Sequence, residues 1–579
     1  MRERLLVRHF LIRFMEHDLI STNADRREVL AVTGGTLVSV SLFLATLTAL
    51  RYQFNNFMPP GITSMNALDD RFLFVSASML VMALLAVALW DSLALDPRDT
   101  AVLGTLPVQH STLVRSKFIA VAIFGIVADL GWNAPPTLLR FAALPLMLRV
   151  GGRGIAVLTF ANAVVTLLAG AFGFLAVIAI RETLTALLGH ERFRAISSVV
   201  QAVLIVALTS ALLLLPARSS RIAQTWLARD TASARALPPL WFVGLHEAMA
   251  GSVIDDAPRA TAVRGAYAVP VFRLQELGAT ALYRQLRPRY QALGRAALES
   301  LLLVALLAVI ASAWNSRRLP MPPHQSAREM SALMSLWRWT VAHALTSSPV
   351  QQAGFWFTLQ TLPRRVTHRA VLASALAVGV ALIVITAGSS IGAFAAQPFL
   401  LAALLTGFRR AVQLPAELRS GPTFTLAWNG DLARFISGVK RAGWIAIVLP
   451  ALLVLFAWHA ALFGVEAAAL HSSVGAALAL LMMELLFVRY SRLPLVSSHV
   501  PGPDARSRGF VYVAGVLLVC VALAWIEQSA FSASSLYVLL LAATLAGIAA
   551  GVSVSVHAPA FTGDLEDEIA ATQRLNLSV

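Results

Sequence analysis

Long, nearly uninterrupted apolar segments recur along the whole chain, and no other feature restricts its fold as strongly. A helical run of about 17 to 25 apolar residues matches the thickness of a bilayer's hydrocarbon core. The 579 residues are 58% hydrophobic and only 13% charged, whereas a globular protein is about one quarter charged. Because a soluble fold has no interior for so much apolar surface, we predict an all-α polytopic membrane protein.

Twelve such segments occur, and they divide into two groups of six. The first group covers 29–50, 72–90, 118–134, 155–180, 196–215 and 298–314. The second group covers 370–388, 391–408, 444–463, 467–488, 510–526 and 536–556. The sequence therefore predicts about twelve transmembrane helices arranged as two six-helix halves.

The segments between these runs complete the predicted organisation. Residues 1–28 form an N-terminal amphipathic interfacial helix; 29–314 form the first six-span half, with a long outer segment at 218–295; 315–369 form a cytoplasmic bridge with a second amphipathic helix; 370–556 form the second half; and 557–579 form a cytoplasmic tail.

The two amphipathic helices are predicted from apolar residues at helical spacing. Leu6, Val7, Phe10, Leu11 and Phe14 form such a stripe in the first, and Phe355, Trp356, Leu359 and Leu362 form one in the second. Helices of this kind lie in the headgroup plane of a membrane. Packing as ordinary cytoplasmic helices on their neighbours is the alternative.

The net charge of +16 indicates an orientation in the membrane. Basic residues are dispersed between apolar runs, not clustered on one soluble face, so we expect no nucleic-acid partner. With the N-terminus inside, thirty of the 46 basic residues lie in cytoplasmic segments, and eleven of the other sixteen lie within 218–295. Long loops are discounted by the positive-inside rule. The first 28 residues also lack the apolar core of a signal peptide. We therefore expect both termini in the cytoplasm.

Lysine is almost absent, and this excludes one kind of chemistry. Lys117 and Lys440 are the only two lysines, and neither stands in the Gly-Lys-Ser/Thr context of a P-loop. The chain therefore carries no standard Walker ATPase, and we do not expect it to be an enzyme. The single cysteine, Cys520, lies in an apolar run, so neither a disulfide framework nor a cysteine metal site is expected. No cofactor is predicted.

Ionisable side chains inside the apolar runs are candidate functional groups, because charge at membrane depth is costly. Asp129, Glu299 and Glu484 are the three carboxylates in such positions. Arg295 and Arg489 lie about a turn from Glu299 and Glu484, so helix-end ion pairs are the alternative interpretation there. His459 and His471 are predicted to lie near each other across two adjacent spans, as polar interfacial histidines in preference to metal ligands.

The loop after the second span carries the most informative pattern. An acidic–arginine–acidic cluster is followed by a leucine–proline pair and then by basic residues that open the third span: Asp96, Arg98, Asp99, Leu106, Pro107, Arg115 and Lys117. This pattern resembles the cytoplasmic loop of ABC-2 type permeases, the membrane subunits of ATP-binding cassette exporters. The amphipathic N-terminus is similar to the interfacial elbow helix of that family.

In the second half, the corresponding loop lacks the acidic–arginine–acidic cluster. It carries Arg409, Arg410, Pro415, Glu417 and Arg419. The resemblance implies that both loops contact a separate ABC ATPase subunit and transmit its closure to the two halves. It further implies an exporter in a bacterial-type cytoplasmic (inner) membrane, with the lipid bilayer as solvent. Because two halves are fused, no homodimer is needed. The sequence does not identify the substrate.

Three other classes of function remain open at this point. An ion-gradient-driven secondary transporter would use broken helices and midplane carboxylates, for which Asp129 is a candidate. A membrane enzyme acting on lipid-linked substrates would need a carboxylate or metal constellation in a loop; the acidic run of the chain lies in the C-terminal tail. A structural or assembly protein needs neither.

Overall fold

The computed structural model consists of helices and connecting turns. It describes residues 2–15, 26–54, 60–90, 110–148, 152–221, 232–255, 270–316, 339–341, 345–389, 391–416, 428, 431–488, 490, 493–496 and 505–555. Within those ranges it is 93% helical and contains no strand. Nine of the described helices are long and apolar enough to cross a membrane. The predicted all-α polytopic membrane class is thereby confirmed.

Each predicted span of the first half coincides with one helix, to within two residues at its ends. The helices are α1 (Arg2–Met15), α2 (Arg26–Phe54), α3 (Pro60–Ala88), α4 (His110–Leu148), α5 (Gly152–Leu188), α6 (His190–Arg221), α7 (Ala232–Arg235), α8 (Pro238–Asp255) and α9 (Pro270–Ser316). Helix α9, with 47 residues, is far longer than the roughly 20 residues that a span needs. It therefore begins within the predicted outer segment.

The second half follows with α10 (Pro349–Arg364), α11 (Val366–Thr386), α12 (Gly392–Gln413), α13 (Leu432–Gly443), α14 (Leu449–Phe463), α15 (Val465–Phe487), α16 (Ala505–Ala533) and α17 (Ser535–Ser555). A π-helical segment, Trp444–Val448, joins α13 to α14. Segments of π-helix are rare in proteins, and those that occur are often found at functional sites. The predicted spans of this half also coincide with helical structure, to within two residues at their ends.

The chain divides into two compact units. The first comprises Met1–Leu204 and Ala211–His324, and the second comprises Ile205–Ser210 and Gln325–Val579. The main division falls inside the bridge predicted at 315–369. Each unit has its own apolar core: the first includes Leu68, Phe72 and Phe242, and the second includes Leu405, Phe408 and Val439. The remaining domain boundaries stay predictions.

The two units repeat four packing relations at corresponding places in the chain. The amphipathic helix packs against the helix that opens the third span: α1 against α4, and α10 against α13. The helix of the fourth span also packs against the helices of the second, third and sixth spans. In the first unit these contacts join α5 to α3, α4 and α9. In the second unit they join α15 to α12, α14 and α17. Both units therefore build around their fourth span.

Candidate functional site

The candidate site is the pair of predicted ATPase-coupling loops, together with the groups that fix their ends. In the first unit the middle of the loop lies outside the described residues: Asp96, Arg98, Asp99, Leu106 and Pro107 fall in the gap between 90 and 110. Arg115 and Lys117 are described, in the first turns of α4. The structure therefore defines where this loop leaves the bundle and where it returns.

The point of departure is held by α6. Trp90 is fully buried, and its indole Nε1 donates to Ser197 Oγ at 2.8 Å. Gln201 Nε2 donates to the carbonyl oxygen of Val87, which lies about one turn before Trp90, at 3.1 Å. These two bonds satisfy polar groups that would be costly to bury alone. The end of the second span is thus fastened by side chains that arrive from the helix of the fifth span.

The point of return is held by α1. Lys117 is buried, and its ammonium lies 5.6 Å from the centre of the Phe10 ring, within cation–π range. Arg115 Nε lies 3.2 Å from Glu3 Oε1. That second pair is largely exposed, so it adds little stability. The buried contact between Phe10 and Lys117 therefore does most to fix the start of α4.

A buried polar group at the ends of α5 and α9 was not predicted from the sequence. Arg181 and Glu182 form an ion pair, and both side chains are buried. Asn315 Nδ2 donates to Glu182 Oε2 at 2.8 Å and to the Glu182 carbonyl at 2.8 Å. The adjacent arginine and glutamate at the end of a predicted span were a usable signal. They tie the fourth span to the sixth at the predicted cytoplasmic end.

In the second unit, Arg409 is packed between aromatic rings at the end of α12. Its guanidinium carbon lies 4.0 Å from the centre of the Tyr490 ring and 5.4 Å from that of Phe487. Burial lowers the pKa of Arg409 below its ordinary value, and Tyr490 opposes this effect. The neighbouring Arg410 is exposed. Of these two predicted contact residues, only Arg410 presents its side chain outward.

The chain after α12 is fixed by backbone hydrogen bonds. Ala416 N donates to Leu495 O at 2.7 Å, and Leu495 N donates to Val412 O at 2.8 Å. His368 Nε2 lies 3.2 Å from the carbonyl oxygen of Leu414. Pro415 is half-buried between these contacts. The other two predicted residues of this loop, Glu417 and Arg419, lie outside the described residues.

The return of this loop is helix α13, which crosses α10 at close range. Cβ atoms at Gly354 and Gly438 would overlap the carbonyl oxygens of Phe435 and Gln351, respectively. The crossing therefore depends on glycine on each helix. Phe355 of α10 is fully buried, so the predicted apolar stripe packs against neighbouring helices. The location of this helix in the headgroup plane stays a prediction.

The three predicted intramembrane carboxylates have different surroundings. Glu484 Oε2 accepts from Lys440 Nζ at 2.6 Å, so its partner is a lysine of α13. Glu299 is exposed on α9. Asp129 is buried, and its Oδ1 accepts from Asn133 Nδ2 at 2.8 Å and lies 3.4 Å from Ser78 Oγ. Only Asp129 is enclosed in a polar cluster of the bundle interior.

Close packing surrounds that aspartate. Ser78 Oγ donates to the carbonyl oxygen of Thr166 at 2.9 Å. A Cβ at Gly170 would overlap both the Asp129 carboxylate and the Ser78 hydroxyl. The cluster therefore brings α3, α4 and α5 into contact through polar groups and one glycine.

Two further buried ion pairs were not predicted from the sequence. In the first unit, Arg71 pairs with Glu247, and Tyr283 OH donates to Glu247 Oε2 at 3.1 Å. In the second unit, His471 pairs with Glu527. No spacing in the sequence signals these contacts, because each joins residues on different helices. Only the position of Arg71 beside Asp69 and Asp70, just before an apolar run, was suggestive.

Neither the described side chains nor comparisons with known proteins give a further indication of function. Across the described ranges, no group of three or more histidine, cysteine, aspartate or glutamate residues is arranged to hold a metal ion. Comparisons with family models, curated proteins and solved structures find no match.

Proposed function

We propose that this protein is the permease subunit of an ABC-type exporter, driven by a separate ATPase subunit. One observation carries the proposal: in both units, the amphipathic helix packs against the start of the third span, where the predicted coupling loop returns to the bundle. A loop fastened at its return can transmit force to the span that follows. An unfastened loop would absorb the motion instead.

The contacts at these positions suit such a role. In the first unit, Trp90 and Lys117 fix the two ends of the loop by buried contacts. In the second unit, Arg409 and Lys440 occupy the corresponding places and also contact aromatic rings. In this proposal, the acidic and basic residues of each loop, between the residues that fix its two ends, bind the ATPase subunit. ATP hydrolysis belongs to the partner in this proposal, and both termini lie on its side of the inner membrane.

Ion-gradient-driven transport is the second candidate, and the Asp129 cluster favours it. A buried carboxylate that contacts two neighbouring helices is the kind of group that couples an ion to helix movement. The two candidates differ in one requirement. The first needs an ATPase subunit, and the second does not.

Copurification tests the proposal directly. The tagged chain is expressed in its native host, extracted in mild detergent, and assayed for bound polypeptides and for ATPase activity. We expect an ABC ATPase subunit to be recovered with it. Recovery of the chain without an ATPase, together with proton-coupled solute flux in liposomes, would support the second candidate and overturn the first.

A charge reversal then tests the loop. We expect Asp99→Arg to reduce the recovered ATPase by about tenfold or more, because it places a like charge beside Arg98 and removes an acidic contact. Glu566→Arg, in the tail, is the matched control and should leave recovery unchanged. Equal membrane insertion is checked by the yield of each variant. ATPase recovery that is unaffected by Asp99→Arg would contradict the role assigned to this loop.

A further inference from the structure

The second unit encloses three ionisable side chains that the proposed function does not use. His459 comes from α14, His471 from α15 and Glu527 from α16, and each is at most 2% exposed. All three lie within helices that are long and apolar enough to span a membrane. Groups of this kind are costly at such depth unless they bind one another or a ligand.

Their geometry links them in a row. His471 Nδ1 lies 2.5 Å from Glu527 Oε1, within hydrogen-bonding distance. The ring centres of His471 and His459 are 4.2 Å apart, with their planes at 76°. His459 Nε2 lies 3.1 Å from the carbonyl oxygen of Ala393. The row therefore runs from a carboxylate through two imidazoles to a backbone carbonyl.

Among the described residues, the second nitrogen of the middle ring has no hydrogen-bond partner. His471 Nε2 is buried and makes no hydrogen bond there, and neither does Gln397 Oε1, although Gln397 Nε2 donates to His471 O at 2.7 Å. Aromatic rings wall the same region: the Phe394 ring centre is 5.7 Å from that of Phe463 and 5.4 Å from that of Phe531. A buried polar nitrogen in apolar surroundings is unfavourable unless something binds there.

The chemistry favours a proton over a metal ion as the ligand. The Glu527 oxygen nearest His471 is already engaged with Nδ1, so two imidazoles would have to hold a metal almost alone, whereas transition metals in proteins usually take three or four protein ligands. A proton needs only one ring nitrogen and a nearby counter-charge, which Glu527 supplies. We propose that Glu527, His471 and His459 form a buried proton-binding site in the second unit.

In the part of the chain that the structure describes, no other charged side chain lies at this site. Glu466, on α15, is exposed and lies more than one turn before His471. Arg409 and Arg410 on α12 follow Gln397 by three turns or more, about 18 Å along the helix axis. Glu484 is a similar distance from His471 on α15 and is paired with Lys440. Helices α14 and α17 contribute no other charged side chain.

Histidine-selective NMR on the full chain tests this inference independently of any ATPase. The protein is labelled with ¹³C,¹⁵N-histidine, reconstituted in nanodiscs and titrated from pH 5 to 8. We expect His471 to show a strongly hydrogen-bonded Nδ1 proton. The pair of rings should take up protons in two separate steps, because two imidazolium rings 4.2 Å apart repel each other. Glu527→Gln should move the midpoint of the first step by about one pH unit or more, because it removes a charge in direct contact.

His368→Gln is the control, since His368 is equally buried but binds only a backbone carbonyl. It should leave the resonances of His459 and His471 unchanged. If Glu527→Gln does not fold, the titration of the wild-type protein alone still decides the question. Rings that keep one protonation state over the whole range, or that titrate independently of each other, would overturn the proposal.

Discussion

Lys440 and Glu484 show how a single contact can hold a helix that the sequence places at the membrane edge. The ammonium and the carboxylate are 2.6 Å apart, with side chains about one fifth exposed. Lys440 also lies 5.9 Å from the centre of the Phe487 ring. Removing one partner of such a pair leaves the other charge poorly solvated, which costs more than the pair itself contributes.

A double-mutant cycle on this pair should therefore be strongly non-additive. We expect Lys440→Met and Glu484→Gln each to lower the free energy of unfolding by about 1 to 3 kcal/mol. The double variant should lose less than the sum of the two, by about 1 kcal/mol. Tryptophan fluorescence during thermal unfolding in detergent provides the measurement.

Glu299→Gln is the comparison for this cycle, since it removes another carboxylate from a predicted span. Glu299 is exposed on α9, so we expect a change within about 0.5 kcal/mol. An additive cycle for Lys440 and Glu484 would mean that their contact does not stabilise the fold.

At the scale of the element, the crossing of α10 and α13 depends on two glycines. Each helix presents a glycine to a backbone carbonyl of the other, so their axes approach more closely than side chains would permit. The packing then buries Phe355 and Phe435. A methyl group at either glycine has to push the two backbones apart.

Gly438→Ala should therefore loosen both helices. We expect a loss of about 1 to 3 kcal/mol and faster amide hydrogen exchange in α10 and α13, with α15 and α17 unaffected. Gly551→Ala on α17 is the matched control, because nothing lies within 4 Å of its Cβ position. That substitution should be neutral or slightly stabilising. Unchanged exchange in α10 for Gly438→Ala would contradict this account.

The helices of this fold could be predicted from the sequence, but their partners could not. Apolar runs report burial or lipid contact along the chain, so each predicted span coincides with helical structure to within two residues. The extra lengths of α4 and α9 were missed, because polar helical turns outside the membrane carry no apolar signal. The contact between Glu527 and His471 was missed because the two residues lie on different helices and are 56 positions apart in the sequence. A pattern within one segment contains no information about which face meets which neighbour.

Two of the predicted coupling-loop residues lie at the start of a helix, but one of them is buried. Arg115 and Lys117 are in the first two turns of α4. Yet Lys117 is buried against Phe10, where a partner-facing residue would be exposed. An amphipathic pattern in α1 indicated an apolar surface to be covered, without indicating that a lysine would help to cover it.

At the scale of the whole molecule, the orientation predicted from charge can be tested because cysteine is so rare. Replacing Cys520 by alanine gives a background without thiols. We expect Thr261→Cys to react with a membrane-impermeant maleimide in intact cells, and Asp99→Cys to react only after permeabilisation. The reverse pattern would contradict the predicted orientation.

The two lysines give this chain a further property. Each lies in the helix that opens the third span of its half, and each contacts an aromatic ring. Side-chain amine chemistry is therefore confined to two sites, one for each half. An N-hydroxysuccinimide ester acting on the intact protein would mark only these positions among its side-chain amines. The relative acylation of the two peptides would then report how accessible the lysine of each half is.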